Sequence, residues 1–296
     1  MHRVPIQPAG TARYGQHDLL RAYACELAAD IDGPDASRDA LTRLFDHYLH
    51  RATAAVNALH RHEQHQWPRT ALPDAPTPPL TSAAQALAWL DAQRENLLAV
   101  VAYATRQGWP GHATRLSATL FRYLNNGGHF PDAIIVFGHA VAAAREGGDQ
   151  EAEVEALTSL GVAHGQQSRY PEATGLLSTA IALGYDTGNR YGESSALNSL
   201  GQISLRRGGY PEATGYFQQA LELCRASGNL VGAAVALNGL GEAYLAMGRF
   251  DEALAGLTTA LRLARRIDDK PVQARTHDGL GQACVALDDP NQARRH

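Results

Sequence analysis

His60, His62 and His65 place three imidazoles within the segment HRHEQH. A zinc hydrolase built on H-E-x-x-H needs two imidazoles one helical turn apart, with a glutamate between them as base. His62-Glu63-Gln64-His65 is one residue short of that spacing, and His60 and His65 flank it at a poor interval for a shared face. The cluster therefore reads as a solvated polar helix end, with no metal and no cofactor expected. His17, beside Asp18, reads as structural. The phosphate-cradling G-x-x-x-x-G-K-[ST] loop is absent, and the single lysine, Lys270, precedes a proline. No nucleophile elbow or Ser/His/Asp arrangement of known type occurs. The chain reads as a non-enzyme, and the remaining chemistry is binding.

Composition narrows the partners. The 296 residues are 45% hydrophobic and 19% charged, as in a folded soluble protein, and the net charge is −4. Without a global basic field, direct nucleic-acid binding is not expected. Cys25, Cys224 and Cys284 are far apart and form no CxxC pair, which fits a reducing cytosol. The N-terminus lacks an apolar signal region and no run of 18 apolar residues occurs, so a cytoplasmic location away from membranes is expected.

The elements that must position any binding residues repeat every 40 residues. The openings are Phe130-Pro-Asp-Ala, Tyr170-Pro-Glu-Ala, Tyr210-Pro-Glu-Ala and Phe250-Asp-Glu-Ala. A Leu-Gly marker keeps the same step at Gly161, Gly201, Gly241 and Gly281, as does a turn at Gly148-Asp149, Gly188-Asn189, Gly228-Asn229 and Asp268-Asp269. After each opening the apolar residues fall on one helical face, as in Ala173, Leu176, Leu177, Ala180 and Ile181. Each unit therefore predicts two helices, with a proline at one start and a glycine at one end.

The pattern Leu157, Leu160, Gly161, Ala173, Leu177, Ala180, repeated as Leu197, Leu200, Gly201, Ala213, Phe217, Ala220, resembles the tetratricopeptide repeat. Leu237, Leu240, Gly241, Tyr244, Ala253, Leu257 and Ala260 continue it. The resemblance implies an all-α fold, a right-handed superhelix of stacked helix pairs that bury their faces against neighbours. Units are expected near 112–150, 151–190, 191–230 and 231–270, with an incomplete one at 271–296. Phe121 stands where later units have glycine, so the first pair should pack differently. The incomplete last unit, with Leu280, Cys284 and Leu287, offers a surface for self-association.

Two earlier motifs resemble large bacterial AfsR/SARP-like regulators, in which an NB-ARC nucleotide switch of the STAND type precedes tetratricopeptide repeats. Tyr14, His17, Asp18, Leu19, Leu20, Arg21, Tyr23 and Ala24 match the end of the switch's winged-helix part. Trp89, Leu90, Asp91, Arg94, Asn96, Leu97 and Ala99 match the junction before the repeats, with Gln93 replacing an acidic residue. The resemblance implies a helical lead-in over 1–66, a proline-rich linker over 67–82 and a solenoid over 83–296. Helices are expected over 13–30, over 38–60 and up to Gly108. The chain would then be the sensor part of a transcriptional regulator; a stand-alone scaffold is the alternative.

In such stacks the first helix of each pair lines the concave surface. Positions three before and one after the marker glycine point away from the partner helix, and the position four further along, as at Arg206, continues that face. This predicts a peptide-binding face from Thr158, Asn198, Gln202, Arg206, Asn238, Glu242, Asp278 and Gln282. The amides of Asn198 and Asn238 are expected to face solvent and to pair with a peptide backbone, since an amide both donates and accepts.

Overall fold

The computed structural model describes residues 2–3, 14–15, 23, 26–27, 31, 33–59 and 79–288. The histidine cluster, residues 16–22 and most of the proline-rich segment fall outside that set. Within 13–30 the helical expectation is corrected at the start. Tyr14–Gly15 (β2) pairs antiparallel with His2–Arg3 (β1), whereas Tyr23, Glu26 and Leu27 are helical. Gly15 is a poor helix former, which fits the change.

Eleven helices follow among the described residues: α1 (Gly33–Leu59), α2 (Ala83–Arg106), α3 (Pro110–Asn126), α4 (Phe130–Gly147), α5 (Gln150–Gln166), α6 (Tyr170–Thr187), α7 (Arg190–Arg206), α8 (Tyr210–Ser227), α9 (Leu230–Ala246), α10 (Phe250–Arg266) and α11 (Lys270–Ala286). The architecture is all-α, as the repeat predicts. Local chemistry sets the boundaries. Asp149, Asn189, Asn229 and Asp269 each cap the next helix, their side-chain oxygens accepting from the backbone N–H of Ala152, Gly192, Gly232 and Val272. The residue before each cap is left-handed, with φ of 66°, 71° and 70° at Gly148, Gly188 and Gly228 and 54° at Asp268. A second left-handed series closes the other turn at Gly128, Ser168, Gly208, Gly248 and Asp288. Prolines occupy the first turns of α3, α4, α6, α8 and α11, where a missing N–H leaves no helical bond unmade.

The helices form two layers. Each packs on its sequence neighbours, and α1, α3, α5, α7, α9 and α11 also pack on one another in that order. In the other layer α2 packs on α4, but from α4 onward the backbones of α4, α6, α8 and α10 stand apart. A layer whose members meet curves inward relative to one whose members splay apart. The odd-numbered helices therefore line the concave side.

What joins the layers is a knob from each outer helix. Phe137, Leu177, Phe217 and Leu257 recur at the 40-residue step and are fully buried. Each such side chain contributes about 1.5–3 kcal/mol by leaving water. Leu177 rests on Gly161, Phe217 on Gly201 and Gly239, and Leu257 on Gly241 and Gly279. The first pair packs differently, as expected. Phe121 meets Phe137 ring to ring, with centroids 5.8 Å apart.

The lead-in helix shares this core. Phe45, Leu49 and Val56 of α1 lie in one cluster with Leu90 and Leu97 of α2, Leu116 and Leu120 of α3 and Phe137 of α4. The motif around Trp89 is a splice. The Tyr123 hydroxyl donates to Asp91 at 2.6 Å, and Arg94 lies 2.9 Å from a ring nitrogen of His129 and 3.3 Å from Asp132. Burial, reinforced by Asp91, holds the Tyr123 phenol far above its ordinary pKa. Residues of α2 are thus locked to the first helix pair of the stack.

Candidate recognition groove

A groove of about 720 Å³ opens on the concave side, lined by α1, α3, α4, α5 and α7 with Val235 of α9. The 40-residue step makes its floor easy to read. Glu151 and Glu155, one turn apart on α5, share a face; Tyr191 and Ser195 are their equivalents on α7. Arg115 on α3 is equivalent to Glu155 one unit earlier, and Arg122 lies two turns further along α3. Tyr191 is 64% exposed and lies in the groove lining, on the inner face of the stack.

Glu155 is open to groove water, yet protein surrounds most of it because the wall curves round it. This burial, with Glu151 and Asp149 adding like charge, pushes its pKa above the ordinary carboxylate value. Although the Tyr191 ring is largely open to water, desolvation by the protein around it raises its phenol too, with Glu155 adding to the shift and Arg122 opposing it. Ser159, also in the lining, is only 6% exposed. Its equivalent Ser199 donates to the carbonyl of Ser195 at 2.9 Å, whereas the Ser159 hydroxyl has no hydrogen-bond partner among the described residues.

Of the sequence-predicted residues, Thr158 lines the groove, its hydroxyl donating to the Val154 carbonyl at 2.8 Å. The expectation that Asn198 and Asn238 face solvent is corrected. They are 8% and 0% exposed and sit in the seams between inner helices. Asn198 donates to the Gly232 carbonyl of α9 at 3.2 Å, and its own side-chain oxygen has no partner among the described residues. Asn238 donates to Glu242 and accepts from Thr276 of α11 at 2.9 Å. These positions do point away from the partner helix, but the next inner helix stands there. Three residues along an α-helix is about 60° of rotation, which separates Asn198 and Asn238 from the series of Glu155 and its equivalent Ser195, which lines the groove.

Gln202 is half-buried, and Glu242 also lies 3.6 Å from Arg275. Arg206 donates to Gln166, its equivalent one unit earlier, at 2.5 Å. Asp278 accepts from Gln282 at 2.8 Å on the open face of α11, beside the exposed Val285; Leu280 and Cys284 are buried and Leu287 is exposed. The eight residues are therefore not one surface. Glu151, Glu155, Tyr191 and Ser195 were missed, although the same 40-residue step identifies them once the seam positions are known.

The tetratricopeptide repeat family matches residues 192–255 and 232–296. Residues 192–296 carry tetratricopeptide repeats. In this repeat chain, as elsewhere, a likeness in sequence and a likeness in fold carry different weight. Regulatory protein AfsR of Streptomyces griseus is 30% identical over 167 residues, 56% of this chain but 17% of that protein. The crystal structure of BtubC (BKLC) from P. vanneervenii superposes with a TM-score of 0.58 at 18% identity, over 71% of this chain and 87% of that one. That likeness is one of fold. Among the described residues no group of three or more His, Cys, Asp or Glu could hold a metal, and no helix is long and apolar enough to cross a membrane.

Proposed function

We propose that this repeat chain is a protein- or peptide-binding regulatory module of a cytoplasmic, AfsR-like transcriptional regulator, and that its ligand lies in the groove over α3, α5 and α7. The observation that carries the proposal is Tyr191. A ring 64% exposed on the inner face contributes little to the stack, whereas exposed aromatic rings are the usual anchors of protein recognition. Around it the groove presents carboxylates and hydroxyls that the repeat does not need for folding. The partial likeness to the Streptomyces regulator supports the regulatory setting; a stand-alone scaffold would use the groove in the same way. The net charge of −4 and the acidic floor on α5 argue against direct contact with nucleic acid.

The test is site-specific photo-crosslinking in the source cells. A photoreactive side chain at Tyr191 should capture a discrete protein, and one at Tyr185, exposed near the end of the outer helix α6, should not. Equal capture from both places would refute the groove as the recognition surface.

A further inference from the structure

We infer that the floor of the groove between α5 and α7 is a guanidinium subsite: Glu151, Glu155, Ser159 and Tyr191 receive an arginine side chain of the protein partner. The inference rests on the groove reading above and adds the chemistry of what enters it.

Four observations converge. Glu151 and Glu155 have no ion-pair or hydrogen-bond partner among the described residues, although nearby Glu153 is paired with Arg145 at 2.6 Å. Glu151, in the first turn of α5, has the helix dipole to account for it. Glu155 lies a turn further on, and the charged groups acting on it, Glu151 and Asp149, are both acidic. The free protein thus sets two unpaired carboxylates one turn apart in the groove lining, and an incoming cation offsets their like charge.

The second observation is the unpartnered hydroxyl of Ser159, nine-tenths buried and in the groove lining, which can accept one further hydrogen bond. The third is the exposed ring of Tyr191, on the helix that packs beside α5, whose face attracts a cation. The last is the donor count. A guanidinium offers five N–H donors in a plane and stacks on aromatic rings, so it can use two carboxylates, a hydroxyl and a ring together; an ammonium offers three donors and no plane.

The basic groups in the groove lie on the neighbouring helix. Arg115 is exposed and unpaired among the described residues, and Arg122 acts on Tyr191 but is not among the groups acting on Glu155. The groove is therefore basic on α3 and acidic on α5. An extended segment crossing it covers the roughly 8–10 Å between helix axes in about three residues. The matching partner carries its arginine about three residues from an acidic side chain.

The test titrates the whole chain with N-acetyl-arginine methylamide and follows tyrosine ring signals by NMR, with the citrulline, lysine and glutamate methylamides and spermidine in parallel. The arginine compound should shift Tyr191 saturably, the lysine compound more weakly, and the citrulline and glutamate compounds not at all. Glu151→Gln with Glu155→Gln should weaken the arginine compound at least tenfold, and Glu172→Gln on the outer helix should leave it unchanged. Circular dichroism on each variant keeps a folding defect from passing as lost binding. Equal binding of citrulline, or undiminished binding to the double variant, overturns the subsite. Tighter binding of lysine overturns the guanidinium assignment, and spermidine binding that displaces the arginine compound overturns the assignment to a protein side chain. If crosslinking at Tyr191 still captures a partner while the arginine compound does not bind, the groove reading stands and the subsite falls.

Discussion

Phe217 of α8 packs so closely on Gly239 of α9 that a Cβ added to the glycine would stand 2.4 Å from the ring Cζ. The same ring meets Gly201 of α7, where a Cβ would stand 2.7 Å from it. One outer-layer ring thus sets the distance between two inner helices. Gly239→Ala should cost about 1–3 kcal/mol by overpacking. Phe217→Leu in that background should recover part of the loss. Thermal denaturation of the single and double variants measures both, and additive losses would mean the two residues are not coupled.

The buried amide of Asn238 is a bolt between α9 and α11, holding Glu242 with one end and Thr276 with the other. Asn238→Ala removes the contact of Thr276 to α9, while the Thr276 hydroxyl keeps the Val272 carbonyl, and should destabilise the chain by about 0.5–1.5 kcal/mol. Asn198→Ala should cost less, because the side-chain oxygen it removes has no partner among the described residues. Chemical denaturation distinguishes the two, and equal losses would contradict the seam assignment.

The repeat shows why one part of the molecule was legible in sequence and another was not. Turns and knobs depend on residue types with few alternatives. Gly188 with φ of 71°, the Asn189 cap and the buried Leu177 all follow from a local rule. The direction of Asn198 depends on where the next inner helix lies, which no single unit contains. A helical wheel distinguishes toward the partner from away from it. It does not separate a seam from a groove about 60° round the same helix. The motif around Asp91 was legible, but its partner Tyr123 was not, because the hydrogen bond joins residues 32 positions apart.

Ser168 is left-handed at a turn where the neighbouring units have Gly128, Gly208 and Gly248, and its φ is 60°. The left-handed conformation costs a residue with a Cβ roughly 1–2 kcal/mol, partly offset because glycine loses more freedom on folding. Ser168→Gly should therefore stabilise the chain by about 0.5–1 kcal/mol, a rise in Tm of a few degrees at most. A fall in Tm would show that the serine side chain stabilises the turn.

Glu155 gives the groove a dependence on pH. Its pKa is raised by burial and by Glu151 and Asp149, so in the window from the ordinary carboxylate value up to the raised one the folded state binds more protons than the unfolded state. Stability contributed by this residue is accordingly highest below that window and falls as pH rises through it. Glu155→Gln removes the ionisation, so the variant should be more stable than wild type at neutral pH, with the difference vanishing at acid pH. Binding should move the opposite way. A cation favours the ionised carboxylate, so wild-type affinity for N-acetyl-arginine methylamide should rise with pH across the same window, with a proton released on binding. Glu155→Gln should be weaker at neutral pH and flat across that window. A more stable variant that binds less is the pattern expected where a residue is kept for its ligand rather than its fold. Tm measured against pH for both proteins, with calorimetry in two buffers of different ionisation enthalpy, tests both halves. Parallel Tm curves, or binding without proton release within that window, would show that Glu155 is a solvated surface carboxylate.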